Sequence, residues 1–206
     1  MAKTFTLASM MLAGSLSLAG CSSTKWTTNY ADVIDPAVAK SWRVVDVDVV
    51  VPRSLTVSEA NTFAPNADIV WREFPYGDRY DQVDAIMTTA ATQGASTLQG
   101  TRDVRLKITM MQFHALSEKT RAVLNNSGVH DITFTAQIFD IATNTPLSPP
   151  DLIKADLIAF VGDQAVAAEK QGLTQKVRIT SHVASVIAGW LGTGPDVRGG
   201  FKRNGR

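Results

Sequence analysis

Val45, Val47, Val49 and Val51 alternate with Asp46 and Asp48 along the run 42–51. Period-two alternation in a β-branched run predicts a half-buried strand with these four valines on one face. Pro52 ends it. Residues 53–77 carry no period. A helix is predicted from Asp78, a good N-cap with Asp81 in the positive first turn. Val83, Ile86, Met87, Ala90 and Leu98 give that helix one apolar face, and Gly100 is its expected stop. Val104, Leu106, Ile108 and Met110 alternate with Arg105, Lys107 and Thr109. The phase slips at Met110-Met111 before Phe113, which predicts a bulge or a strand end. A polar turn over 117–128 leads into a third strand, 129–141, with Ile132, Phe134, Ala136 and Ile138 on one face. Thr143-Asn144-Thr145-Pro146 turns the chain into a fourth strand over 152–160. The last element is a helix whose stripe is Leu173, Val177, Thr180, Ala184, Ile187 and Leu191. Gly172 sits at its start, and Gly192, Gly194 and Pro195 come after it.

The resulting order is β-α-β-β-β-α. Strands with one apolar face and helices with one apolar stripe predict an α+β chain. It forms a two-layer α/β sandwich, a mostly antiparallel sheet with two helices packed on one face. The other sheet face is left for water or a partner.

The first twenty residues pattern differently. Lys3 is their only charge, and Phe5 to Leu18 is apolar apart from Thr, Ser and Gly. A basic start, a short apolar run and small residues are the parts of a secretory signal. The run is too short to span a bilayer, which takes about 20 apolar residues. Leu18-Ala19-Gly20-Cys21 then ends on the single cysteine of the chain, and it resembles the lipobox of bacterial lipoproteins. The resemblance implies cleavage before Cys21, a diacylglyceryl group on its sulfur and an acyl chain on the new amino terminus. Stable anchoring takes two chains or signals, a condition this modification exceeds. Ser22 rather than Asp comes after the cysteine, which by the same resemblance implies the outer membrane, facing the periplasm, over the inner one. Cleavage by ordinary signal peptidase near Ala13, Gly14 or Ala19 is the alternative. The expected organisation is a signal at 1–20, a lipidated N-terminus and tether at 21–41, one domain at 42–192 and a basic flexible tail at 193–206; Trp26, Tyr30, Val33, Ile34 and Val38 within the tether are expected to pack back in part onto the domain, with the lipid headgroups as the alternative.

The whole chain has 20 Lys+Arg against 19 Asp+Glu, and removing the signal leaves them balanced. A basic footprint for nucleic acid is therefore absent. With Cys21 acylated no thiol remains, so the domain stands on its core alone.

Candidate chemistry is sparse. His114 and His130 flank the polar segment 117–128, and with Glu118 they could form a metal or acid/base site. Their spacing matches no zinc motif. Asp46 and Asp48 share a strand face and could pair as carboxylates, although charges on an open sheet face are the commoner case. No Gly-x-Ser-x-Gly elbow occurs. Gly192-Thr193-Gly194 ends a helix instead of opening one, so it is no phosphate cradle. No cofactor is expected. The segment 71–80 is the densest mix of aromatic and charged residues, and Trp71, Arg72, Tyr76 and Arg79 are of the types that dominate protein interfaces. Lys119 and Arg121 form a second candidate surface. The tail residues Arg198, Lys202, Arg203 and Arg206 could touch anionic headgroups.

Gly77-Asp78-Arg79-Tyr80, the run 113–121 and Gln175-Lys176-Val177-Arg178-Ile179-Thr180 resemble small α/β lipoproteins of Gram-negative bacteria. The element order is similar to auxiliary lipoproteins of lipid-transport ABC systems. These resemblances imply a non-enzymatic accessory or scaffold subunit that binds another envelope protein. They supply no catalytic residues. A module binding lipid or glycan between helix and sheet is the alternative, and a hydrolase using His114, Glu118 and His130 is the rival from another class.

Overall fold

The computed structural model describes residues 26–126 and 128–201. Among them the chain runs β1 (Trp26–Asn29), α1 (Pro36–Ala39), β2 (Trp42–Val50), β3 (Ile69–Val70), α2 (Arg79–Ala95), β4 (Arg102–His114), α3 (Glu118–Val123), β5 (Gly128–Asp140), β6 (Asp151–Ala155), β7 (Leu157–Ala159), α4 (Gly162–Lys170), α5 (Gln175–Trp190) and β8 (Gly199–Phe201). The class is α+β. An open, mostly antiparallel sheet has the order β2-β4-β5-β6-β1-β8; β3 adds to β4 and β7 to β5. β2 and β3 run parallel to β4, and the other pairings between these strands are antiparallel.

The long β4–β5 pair is the centre of the sheet. Its alternation places Val104, Leu106, Ile108, Met110, Ile132, Phe134, Ala136 and Ile138 inward, each at most 1% exposed. The slip in phase is a β-bulge: Met110 faces Phe134, Gln112 faces Thr133, and Met111 is pushed out to solvent. A second bulge was not visible in the valine pattern. The β2–β4 register jumps between Val44 and Asp46, so Val44, not Val45, opposes Val104. Val45 is 51% exposed as a result. Arg105 then donates to Asp46 at 2.5 Å on the outer face, which gives that carboxylate a structural partner.

α2 starts where the N-cap predicts: Asp78 accepts from the backbone N–H groups of Tyr80 and Asp81. Val83, Ile86, Met87 and Ala90 are fully buried against the sheet and α5. Gly100 is no helix stop, since the helix ends at Ala95. A Cβ there would lie 2.2 Å from the Ser41 carbonyl, so glycine lets the chain cross β2. α4 ends in a Schellman motif: Gly172 takes φ +77°, its N–H donates to Glu169 O, and Leu173 N–H donates to Ala168 O. That break rephases the last helix. α5 buries Ile179, Val183, Val186, Ile187 and Trp190, whereas Leu173 and Val177 of the expected stripe stay exposed.

Two expected boundaries are corrected. The stretch 21–41 is no free tether but is folded from Trp26 onward, more fully than the expected partial packing of its aromatic and aliphatic residues. β1 lies between β6 and β8, and Tyr30 and Ala39 are core residues. Residues 21–25, with Cys21 and the signal, fall outside the described residues. The tail expected from 193 also belongs to the sheet as far as Phe201, which pairs with Trp26. Arg198 folds back to Asp196 at 2.7 Å and lies 5.0 Å from the Tyr30 ring.

The fourth strand is two strands. Asp156 breaks it and is 1% exposed. One carboxylate oxygen accepts from Thr27 N–H at 3.0 Å, the other from Ile132 N–H at 3.2 Å. The side chain thus replaces backbone pairing where β6 gives way to β7.

Candidate functional site

The loops 59–65 and 71–78 and α3 gather at the sheet end where β4 finishes and β5 begins. Ser117 caps α3 through Thr120 N–H and donates to Thr62 O at 2.7 Å. His114 Nε2 lies 3.0 Å from Pro65 O. This end holds most of the residues singled out from sequence, but it uses them structurally. Trp71 is fully buried, with edge-to-face contacts to Phe74 at 5.5 Å and Phe113 at 5.8 Å. It is unavailable to a partner. Arg79 is 5% exposed and grips Glu59 with two hydrogen bonds of 2.7 and 2.9 Å. It also donates to Phe74 O, Pro75 O and Gln82 Oε1. Arg72 bridges Glu118, at 2.5 Å, and Glu59. The hydrogen bond from Arg79 holds the Glu59 carboxyl below its ordinary range, and the one from Arg72 does the same for Glu118. Arg79, Arg72, Glu59 and Glu118 are therefore an ionic clamp that shapes two loops.

Of the four candidates Trp71, Arg72, Tyr76 and Arg79, Tyr76 is the one that faces water, at 85% exposure. Lys119 remains exposed, with its Nζ 5.1 Å from the ring of Phe63, a half-exposed residue outside the predicted set. Arg121 is tied to Glu169 of α4.

His114, Glu118 and His130 do not converge. His114 pairs across the strands with Asp131 on the outer face, so His130, one residue earlier, points inward. Glu118 is engaged by Arg72. Among the described residues no group of three His, Cys, Asp or Glu side chains is placed to hold a metal ion.

The inward side of this end holds a polar group that the pattern did not suggest. His130 is fully buried, and among the described residues neither ring nitrogen has a hydrogen-bond partner. Burial first, then the nearby Arg178, Arg121 and His182, pushes its pKa down to about 3. His182 Nε2 lies 3.1 Å from Thr28 Oγ1, which donates to Asp156 O at 3.0 Å. Burial first, then the charge of Asp131, raises Asp156 to about 6. The only sequence signal for this cluster was its polar residues within apolar runs.

Two concavities flank the sheet. One, of about 400 Å³, includes Trp26, Phe63, His114, Leu116, Leu124 and Val129 in its walls. The other, of about 460 Å³, lies among Val33, Ile34, Trp42, Leu147, Pro149 and Trp190, with the carboxylates of Asp32, Asp35 and Asp151 also in its walls. Trp42 carries a buried indole N–H with no partner among the described residues. No helix among the described residues is long and apolar enough to cross a membrane.

Three solved structures are similar to the chain over most of its length. A candidate lipoprotein from Caulobacter crescentus CB15 is 12% identical, with a TM-score of 0.37 over 78% of this chain and 97% of that one. The PelC dodecamer from Paraburkholderia phytofirmans gives 9% and 0.37, over 79% and 95%. A DUF330 protein from Xanthomonas campestris gives 9% and 0.43, over 78% and 88%. No curated protein matches. The family model that does match spans residues 42–205, and the chain accordingly belongs to the family of unknown function DUF6778.

Proposed function

We propose that the chain is a lipid-anchored, non-enzymatic accessory subunit of the cell envelope. Cys21 carries the anchor at the periplasmic side of the outer membrane, and the open sheet face binds a partner protein. The observation that carries the anchor is Leu18-Ala19-Gly20-Cys21 closing an apolar run with one basic residue before it. The docking reading rests on the open face. Val50, Thr109, Thr135 and Leu152 form one lateral row across β2, β4, β5 and β6. Val50 is 37% and Leu152 50% exposed. The next row is Asp48, Lys107 and Gln137, and the one after it Asp46, Arg105 and Phe139. An uncharged stripe beside charged ones suits a partner with an apolar strip and a polar margin. It replaces Trp71, Arg72 and Arg79, which the fold consumes. Tyr76, 85% exposed, remains available as a secondary contact.

The test is affinity capture of the acylated protein from membranes, comparing the natural chain with the double variant Val50→Asp, Leu152→Asp. Both positions lie on the surface, so circular dichroism and the thermal midpoint should be unchanged. Recovery of a stoichiometric partner should fall at least tenfold. Undiminished recovery rules out this face. In parallel, Cys21→Ser should move the protein from the membrane to the soluble fraction, with loss of the acyl mass at the mature amino terminus. A Cys21→Ser protein that stays on the membrane rules out the anchor.

A further inference from the structure

The two ends of the described chain lie side by side. Trp26 pairs with Phe201, Thr27 with Gly200 and Thr28 with Gly199. The Asp156 carboxylate fixes their height along the sheet by holding Thr27 level with Ile132. Both ends thus lie at the His114–Asp131 end of the central pair. The other end, at Val104–Asp140, carries the turn containing Ala142. Strands of 13 residues separate the two by roughly 40 Å at about 3.3 Å per residue.

The sequence adjoining each end is distinctive. Before Trp26, only residues 22–25 intervene before Cys21. Five residue steps reach at most about 18 Å, less than half the length of the sheet. After Phe201 come Lys202, Arg203 and Arg206 with no acid among them. Basic residues next to an anchor are drawn to anionic headgroups within a Debye length. The surface between has the matching chemistry: Phe63 is 50% exposed with Lys119 against its ring, and aromatic rings are favoured at headgroup level.

We infer that the sheet end bearing Trp26, Phe201 and Phe63 lies on an anionic lipid surface, its preference for anionic headgroups set by the charges of Lys202, Arg203 and Arg206, which follow Phe201 in sequence. The inference rests on acylation of Cys21. It turns the sheet upright on the membrane, so that the open face stands sideways and the 142 turn points away from the bilayer.

Because Cys21 is the only cysteine, its acylation leaves an introduced thiol as the sole site for a maleimide dye. The full acylated chain carrying Asn66→Cys or Ala142→Cys is placed in phosphatidylcholine vesicles, with or without phosphatidylglycerol. Both sets contain lipid with a nitroxide on its headgroup. The dye at 66 should be quenched at least threefold more than the dye at 142, and more in the anionic vesicles. Adding Lys202→Gln, Arg203→Gln and Arg206→Gln should return quenching at 66 to its level in neutral vesicles. Equal quenching at the two positions, or stronger quenching at 142, overturns the orientation. Insensitivity to the three neutralisations overturns the role of the tail. Mass spectrometry of the same samples separates these results from failure of the anchor, since an unmodified Cys21 overturns the underlying reading and this one with it.

Discussion

Asp156 shows how much one side chain decides. Its two oxygens take the N–H groups of Thr27 and Ile132, tying β1 to β5 where β6 breaks. Burial raises its pKa to about 6 from an ordinary 3.8, so folding takes up a proton and stability gains as pH falls below 6. His130 acts in the opposite sense. Its pKa drops from 6.5 to about 3, so stability is full above 6.5 and is lost as pH falls. His182 is lowered too, mainly by burial. The Asp156 gain offsets part of the histidine loss, and the natural chain should lose stability only gently between pH 7 and 5. Asp156→Asn removes the compensating acid. The variant should lose about 1.4 kcal/mol per pH unit below 6.5 from His130 alone. Urea unfolding at pH 7.5, 6 and 5 checks this; parallel profiles for variant and natural chain would refute it. In the sequence Asp156 is one polar letter in the run 152–160, and nothing local distinguishes a surface aspartate from a corner post. Arg79 was equally opaque. The residue type suggested an interface, but only the approach of Glu59, twenty positions earlier, reveals an internal clamp.

At the scale of elements, periodicity was informative wherever the backbone stayed regular. The faces of α2, β4 and β5 were legible, and so was the slip at Met110-Met111, because an extra residue shifts every later side chain by one. The Val45 bulge was hidden because valines stand on both sides of the jump and preserve an apparent alternation. The face of α5 was misassigned because the period was carried through Leu173, which the Schellman turn at Gly172 places outside the helix. A tight crossing of α2 and α5 sits on Gly94. A Cβ there would be 2.5 Å from Ala184 O and 3.0 Å from Ile187 Cβ. Alanine would favour the helix by about 1 kcal/mol, yet the obstacle is backbone and cannot swing aside. Gly94→Ala should therefore cost about 1–3 kcal/mol net and lower the thermal midpoint by several degrees. A midpoint that rises instead would show that the helices can separate freely.

At the scale of the molecule, the cooperative unit is larger than the hydrophobic pattern suggested. A chain from Trp42 to Leu191 matches the periodic segments but lacks β1 and β8. It would bare the edge of β6, remove Tyr30 from the core, and strip the Ile34 N–H to Trp190 O hydrogen bond of 2.9 Å. Such a chain should elute as aggregate or melt without a cooperative transition, whereas removal of residues 1–24 should leave a sharp one. Size-exclusion chromatography and thermal circular dichroism distinguish them, and a cooperative, monomeric 42–191 would show the outer strands to be dispensable. Short Thr-rich strands such as β1 carry too few residues to display a period, which is why the sequence reads as a tether there.

The position of β1 also sets an order in time. Its neighbours are β6 and β8, with Thr28 opposite Ala155 and Trp26 opposite Phe201. A strand at residues 26–29 has no partner until β6, at 151–155, is available, and it is not flanked on both edges until β8, at 199–201, joins it. The hairpin of β4 and β5 faces no such delay. Closure of the sheet is a long-range event of the kind that slows folding, and the outer edge of β1 stays open to capture by other strands until β8 covers it.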